Sequence, residues 1–301
     1  MAFTWNGPKQ DNSDIYVKLI GTEPPVRLTS DPADDFCAAW SPDGRLIAFL
    51  RTLSPGRVGV SLIPAIGGPE RKIAEIYLDA AELSSGDSLL AWFPDSKSLA
   101  VVDKGSPRES YSLYSLSTES GDKARLTFPP QGQWDEGPAI SPNGRALVFS
   151  RLTDGEIADL FLLELSENRT PKRGPMRLTF ENRYSVSPVC WTPDGRAIVF
   201  SSGPLHTTSL WEIVLAPAGG NQNGCLLPGE GTRWPAISRR GQLAYAQTAH
   251  HMDIWRLELN GGRLVEKPQT DLISSTRIDH VPQYSPDGKR IAFASNRSGS
   301  F

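Results

Sequence analysis

Long apolar runs, paired cysteines and an excess of positive charge are all missing from this chain of 301 residues. Without a stretch of roughly 20 apolar residues, no membrane-spanning helix is expected. The opening Met1-Ala2-Phe3-Thr4-Trp5-Asn6 has neither a basic start nor an apolar core, so it does not read as an export signal. The net charge of -3 excludes the basic stripe of a nucleic-acid surface, and no nucleic-acid contact is expected. The three cysteines, Cys37, Cys190 and Cys225, fall at unrelated spacings. They offer neither a metal-ligand pairing nor a disulfide framework, and read as small buried hydrophobes. They leave the redox compartment open.

Catalytic signatures are missing as well. There is no Gly-x-Gly-x-x-Gly, no phosphate loop and no Gly-x-Ser-x-Gly; Gly59-Val60-Ser61-Leu62-Ile63 fails at its last position. His250 and His251 are adjacent and point to opposite sides of an extended chain, while His206 lies in the corresponding loop one repeat earlier. No metal, no cofactor and no catalytic residue is therefore expected, and the chain reads as a non-enzyme.

What the chain does contain is a recurring box. Trp40-Ser41-Pro42-Asp43-Gly44-Arg45-Leu46-Ile47-Ala48-Phe49 returns at Trp92-Phe93-Pro94-Asp95-Ser96, Ile140-Ser141-Pro142-Asn143-Gly144, Trp191-Thr192-Pro193-Asp194-Gly195 and Tyr284-Ser285-Pro286-Asp287-Gly288. A worn copy, Ile237-Ser238-Arg239-Arg240-Gly241, has arginines in place of Pro-Asp, which leaves its turn geometry open. The anchors at 42, 94, 142, 193, 239 and 286 step by 52, 48, 51, 46 and 47 residues, the period of a repeat architecture. Each box reads as strand, turn, strand: Pro presets φ, Asp or Asn closes the turn, and Gly accepts φ > 0. A third strand follows at Asp14-Ile15-Tyr16-Val17, Ser112-Leu113-Tyr114, Asp159-Leu160-Phe161, Ser209-Leu210-Trp211 and Asp253-Ile254-Trp255, and Val58–Ile63 fills that slot without its aromatic. Because Tyr16, Tyr114, Phe161, Trp211 and Trp255 recur once per unit, they read as packing between units. A fourth strand ends in Arg-Leu-Thr at Arg27–Thr29, Arg125–Thr127 and Arg177–Thr179.

Four short antiparallel strands per unit predict an all-β, six-bladed β-propeller of four-stranded antiparallel blades, one domain over 1–301. The Ser-Pro-Asp-Gly box, the Asp-Ile-Tyr/Trp strand and the Arg-Leu-Thr ending together resemble the WD40-like repeats of TolB-type propellers. That resemblance covers essentially the whole chain. Similar blades occur in the propeller domains of prolyl-oligopeptidase-type serine peptidases and in large bacterial envelope and regulatory proteins. The resemblance implies a periplasmic or cell-envelope location, which the sequence itself leaves unknown.

Both ends fall within a blade. Met1-Ala2-Phe3-Thr4 aligns with Ile47-Ala48-Phe49-Leu50, so the chain opens in a second strand, and the last unit supplies a first and a second strand before Phe301. The ring is either truncated, a fragment of a longer array, or closed by pairing of the two termini, which would remove exposed edges.

Loops from fourth to first strands and from second to third strands share one face, and loops on a rigid scaffold carry binding residues. They hold the candidate partner-binding set Asp35, Arg51, Trp134, Asp135, Glu136, Arg151, Arg183, Tyr184, Trp234, Arg277, Asp279 and His280. Aromatics and arginines among carboxylates are what protein-binding surfaces use. The plainer reading of each is a solvated loop end, its arginine paired with a neighbouring carboxylate. The leading expectation is thus a non-catalytic TolB-like propeller that binds a protein, peptide or small ligand within a longer protein. The alternative is an accessory propeller of a prolyl-oligopeptidase-type serine peptidase whose catalytic domain is absent from these residues.

Overall fold

A computed structural model describes residues 1–7, 12–18, 24–79, 88–154, 157–180, 183–184, 189–203, 208–215, 222–227, 231–238 and 240–247, and short strands thereafter. The chain falls into two compact units, Met1–Ala246 and Gln247–Phe301. Among the described residues, no helix is long and apolar enough to cross a membrane.

In the first unit the strands form consecutive small antiparallel sheets, the blades of a β-propeller. The first blade holds β1 (Ala2–Trp5), β2 (Asp14–Val17) and β3 (Val26–Arg27), paired in that order. The second holds β4 (Asp35–Trp40), β5 (Leu46–Ser54), β6 (Arg57–Pro64) and β7 (Arg71–Tyr77). The third holds β8 (Leu90–Trp92), β9 (Ser98–Asp103), β10 (Ser112–Ser117) and β11 (Lys123–Arg125). The fourth holds β12 (Trp134–Ile140), β13 (Ala146–Asp154), β14 (Ile157–Glu164) and β15 (Met176–Arg177), and β16 (Arg183–Tyr184) pairs with β14. The fifth holds β17 (Val189–Trp191), β18 (Ala197–Ser202), β19 (Ser209–Val214) and β20 (Gln222–Leu227). A last pair, β21 (Thr232–Ile237) and β22 (Leu243–Gln247), stops at two strands.

The second unit contains β23 (Ile254–Arg256), β24 (Leu259–Asn260), β25 (Arg263–Leu264), β26 (Thr270–Ile273), β27 (Asp279–Tyr284) and β28 (Ile291–Ser295). There β23 pairs with β26, β24 with β25, and β27 with β28. The expected six blades are therefore five. Beyond the five, β21 pairs with β22, and the segment expected as the next third strand, β23, pairs with β26 in the second unit.

The turns form as their residues dictate. Ser41 Oγ donates to Asp43 Oδ1 at 2.6 Å and accepts from Leu46 N at 2.9 Å, while Gly44 takes φ 75°. Ser141, Asn143 and Gly144 repeat this geometry, as do Thr192, Asp194 and Gly195. The worn copy keeps its turn: Gly241 N donates to Ser238 O at 2.9 Å and Gln242 N to Ser238 Oγ at 3.0 Å. Ser and Gly carry the geometry, so losing Pro-Asp does not abolish it.

The core is built in layers between neighbouring blades. Ile15, Ile47, Phe49 and Ile63 fill the first layer. A larger cluster including Leu50, Val60, Leu99, Val101, Leu113 and Phe149 spans the second to fourth blades, and Leu160, Ile198, Phe200 and Ile213 join the fourth to the fifth. Each box phenylalanine sits opposite the third-strand position of its own blade: Phe3 opposite Tyr16, Phe49 opposite Ser61, Phe149 opposite Phe161 and Phe200 opposite Trp211. Phe149 and Phe161 stack at 5.9 Å between centroids. These aromatic pairs lie across neighbouring strands of one blade, where the sequence suggests packing between units.

Candidate binding site

First strands are stitched to the preceding blade at one end or the other. At one end, Asp35 N donates to Ser13 O at 2.7 Å, Asp135 N to Tyr111 O at 3.0 Å and Thr232 N to Thr208 O at 3.0 Å. Near the other end, the Trp92 and Trp191 indoles donate to Ala39 O and Ala139 O, each at 3.0 Å. Register shifts mark a β-bulge between Phe36 and Ala39 and another between Glu136 and Ala139. The left-handed residue of each bulge is Cys37 at φ 55° and Gly137 at φ 64°, and Trp234 at φ 52° holds the corresponding position of β21. Bulges bend a strand and re-aim its side chains.

These first strands bring their box turns around a cavity of about 720 Å³, lined by Pro42, Trp92, Pro94, Ile140, Ser141, Pro142, Cys190, Trp191, Pro193, Ile237 and Ser238. The residue preceding each Ser/Thr-Pro, and the proline itself, supply most of the wall. No charged side chain is among these lining residues. Its polar groups are committed elsewhere: Ser141 Oγ to Asn143 and Ala146, Ser238 Oγ to Gln242 N, both indoles to carbonyls, and Cys190 Sγ to Val199 O at 3.5 Å. Burial pushes the Cys190 thiol up to about 12, so it is not a nucleophile at neutral pH. Such a wall offers rigid apolar faces and no reacting group, a concave apolar site within the usual size range of ligand pockets.

The sequence-predicted set lies largely at the opposite ends of the first strands. Arg51 Nε and Nη2 donate to the two oxygens of Asp35, each at 2.7 Å, and Arg51 also reaches Glu70 at 2.6 Å. One hundred residues later, Arg151 Nε and Nη2 hold Asp135 at 2.6 and 2.9 Å. Asp35 and Asp135 are fully buried. Burial pushes both carboxyls above the usual range, and the bonds from Arg51 and Arg151 oppose that shift without cancelling it. These four residues are strand-to-strand ion pairs rather than open loop ends.

Trp134 packs against two core clusters, and Glu136 is buried at the next position but one. Arg183 and Tyr184 form β16, opposite Ala158 and Ile157. Trp234 is 40 % exposed with the Arg233 guanidinium 5.1 Å from its ring centre. Asp279 and His280 open β27, opposite Ser295 and Ala294 in the second unit. Arg277 lies outside the described residues, as do His206, His250 and His251.

The turn-face prolines and tryptophans were not among the predicted site residues. Their once-per-blade recurrence marks them as scaffold; only their convergence on one cavity marks them as wall.

Blades of this construction and this strand order define a TolB-type β-propeller fold. The chain superposes on TolB from Acinetobacter baumannii with a TM-score of 0.60 at 17% identity, covering 87% of this chain and 59% of that one. It also superposes on puromycin hydrolase with a TM-score of 0.51 at 15% identity, over 81% of this chain and 39% of that one. In sequence it is 30% identical over 138 residues to dipeptidyl-peptidase 5 of Porphyromonas gingivalis, a match that spans 44% of this chain and 20% of the peptidase. No family model matches the chain.

Proposed function

We propose that the chain is a non-catalytic recognition module whose turn-face cavity receives an apolar segment of a peptide or protein partner. The observation that carries this reading is the cavity wall: four prolines, two tryptophans and two isoleucines, with no charged side chain among the lining residues. Burial of apolar surface drives such binding at about 25 cal/mol per Å², and rigid walls reduce the ordering cost. The test is selection of a random displayed peptide library on the folded chain, followed by binding to the Ile237→Glu variant. Selected peptides should be apolar and should weaken at least about ten-fold when a carboxylate enters the cavity. Failure to enrich any peptide, or peptides indifferent to Ile237→Glu, would remove this reading.

A second reading is an accessory propeller that filters substrates for a serine-peptidase domain outside these residues. The partial match to dipeptidyl-peptidase 5 favours it. Fluorophosphonate labelling of the product of the entire gene, with this propeller in place, decides between the two: a labelled serine supports the peptidase reading, and an inert product opposes it.

A further inference from the structure

We propose that the segment received by the turn-face cavity is acidic, an apolar core flanked by carboxylates. The inference rests on the reading of that cavity as a peptide or protein site, and adds the charge of the partner to it. The boxes that supply the cavity's prolines each carry a cation: Arg45, Lys97, Arg145 and Arg196 follow the turns at Pro42, Pro94, Pro142 and Pro193. In the worn copy Arg240 takes the place of the acidic turn residue, two positions after the lining residue Ser238. All five cations are exposed. Five turns that wall an uncharged cavity thus each present a cation to solvent, on a chain whose net charge is -3.

The turn carboxylates do not balance these cations. Of the same five boxes, three keep one, Asp43, Asp95 and Asp194, while the fourth blade has Asn143 and the worn copy Arg240. Asp43 Oδ1 accepts from the Ser41 hydroxyl at 2.6 Å and Arg45 N at 3.1 Å, and Asp194 Oδ1 from the Thr192 hydroxyl at 2.7 Å and Arg196 N at 3.1 Å. Both close their own turns. A smaller cavity of about 310 Å³ shares Pro94 with the first. It is balanced, because Arg145 donates to Glu167 at 2.7 Å and Arg169 pairs with Asp95. The Arg196 guanidinium comes no nearer than 4.0 Å to the Asp194 carboxylate. Among the described residues, no carboxylate lies within 4.0 Å of the charge of Arg45, Lys97 or Arg240. Cations this exposed add little to stability. Around a binding mouth they steer encounter and select the sign of the partner, while the apolar wall holds what has docked.

The test selects three displayed peptide libraries on the whole chain, each with a random apolar core between fixed flanks of Glu-Glu, Gln-Gln or Lys-Lys. The Glu-flanked library should enrich most strongly. Its best peptide, made synthetically, should associate about ten-fold faster at low salt than the same core with Gln flanks, and the advantage should shrink to about two-fold at about 0.5 M salt. Arg45→Gln, Lys97→Gln and Arg240→Gln combined should bring the Glu-flanked peptide down to the association rate of its Gln counterpart. Gln-flanked peptides that enrich as well as the acidic ones, yet are lost with Ile237→Glu, overturn the inference and leave the cavity reading standing. Enrichment led by Lys flanks, or a Glu preference that survives the triple replacement, overturns it too. Failure of all three libraries removes both.

Discussion

Arg151 and Asp135 face each other across β13 and β12, joined by two parallel hydrogen bonds in a setting where the carboxylate is fully buried. Arg51 and Asp35 make the same pair in the second blade, from the same register positions. In both, the aspartate lies at the start of the first strand of its blade, within its first two residues, and its N–H is already bonded to the previous blade. The pair therefore locks a blade at its junction with the one before.

Asp135→Asn or Arg151→Met alone should destabilise by about 3–5 kcal/mol, because each leaves the other partner buried and unmet. The double replacement should cost less than the sum, since an uncharged pair needs no compensation. Arg51→Met should cost less than Arg151→Met, because Arg51 and its partner Glu70 are more open to water. Urea unfolding of the four variants checks this ordering.

Thr127 closes the third blade by accepting the Leu113 N–H at 2.9 Å, as Thr29 does for Ile15 and Thr179 for Leu160. Thr127→Val keeps the shape and strands a buried N–H, at a cost of about 1–3 kcal/mol. Thr127→Ser, which keeps the hydroxyl, should recover most of that loss in thermal unfolding.

The buried and the exposed aspartates should respond to acid in opposite directions. Asp135 has a raised folded pKa, so the folded state binds its proton more tightly than the unfolded chain does. Its contribution to stability therefore falls as pH rises through the window between the unfolded value of 3.8 and the higher folded value. Asp43 and Asp194 are held low, chiefly by the Ser41 and Thr192 hydroxyls and then by turn N–H groups. Their contribution is present above 3.8 and lost as pH falls through the lower folded value. In stability curves from pH 3 to 6, a range chosen to bracket these shifts, Asp135→Asn should steepen the acid loss and Asp43→Asn should flatten it.

Cys190 should resist alkylation at pH 8 until the protein unfolds, because the thiolate fraction of a group near 12 is negligible. Iodoacetamide labelling followed by peptide mass mapping, with and without urea, reads this directly. Labelling of native Cys190 would show that burial does not hold the thiol protonated.

The turns and the strand order of each blade were legible because their requirements are local. Ser, Asp or Asn, and Gly answer specific backbone N–H groups and one positive φ within five residues, so the box at Ser41–Arg45 declares its geometry wherever it recurs. The loop-end residues were legible only as types. Asp35 and Asp135 look like solvated carboxylates in the sequence, and their burial depends on the arginine brought opposite by the register of the next strand. Six anchors predict six blades and the structure has five: an anchor declares a turn between two strands, and the one at Ser238–Gln242 joins only the two-stranded sheet of β21 and β22.

The sequence by itself determined the repeat, the turn chemistry and the all-β blade, since each is satisfied by neighbours a few residues away. Tertiary structure alone decided which charges are buried, how many blades complete themselves and where the cavities lie. Those outcomes depend on groups about fifty residues apart meeting across blade boundaries, as Trp92 meets Ala39 and Trp191 meets Ala139. A pattern that repeats in every unit cannot specify which copies will face one another.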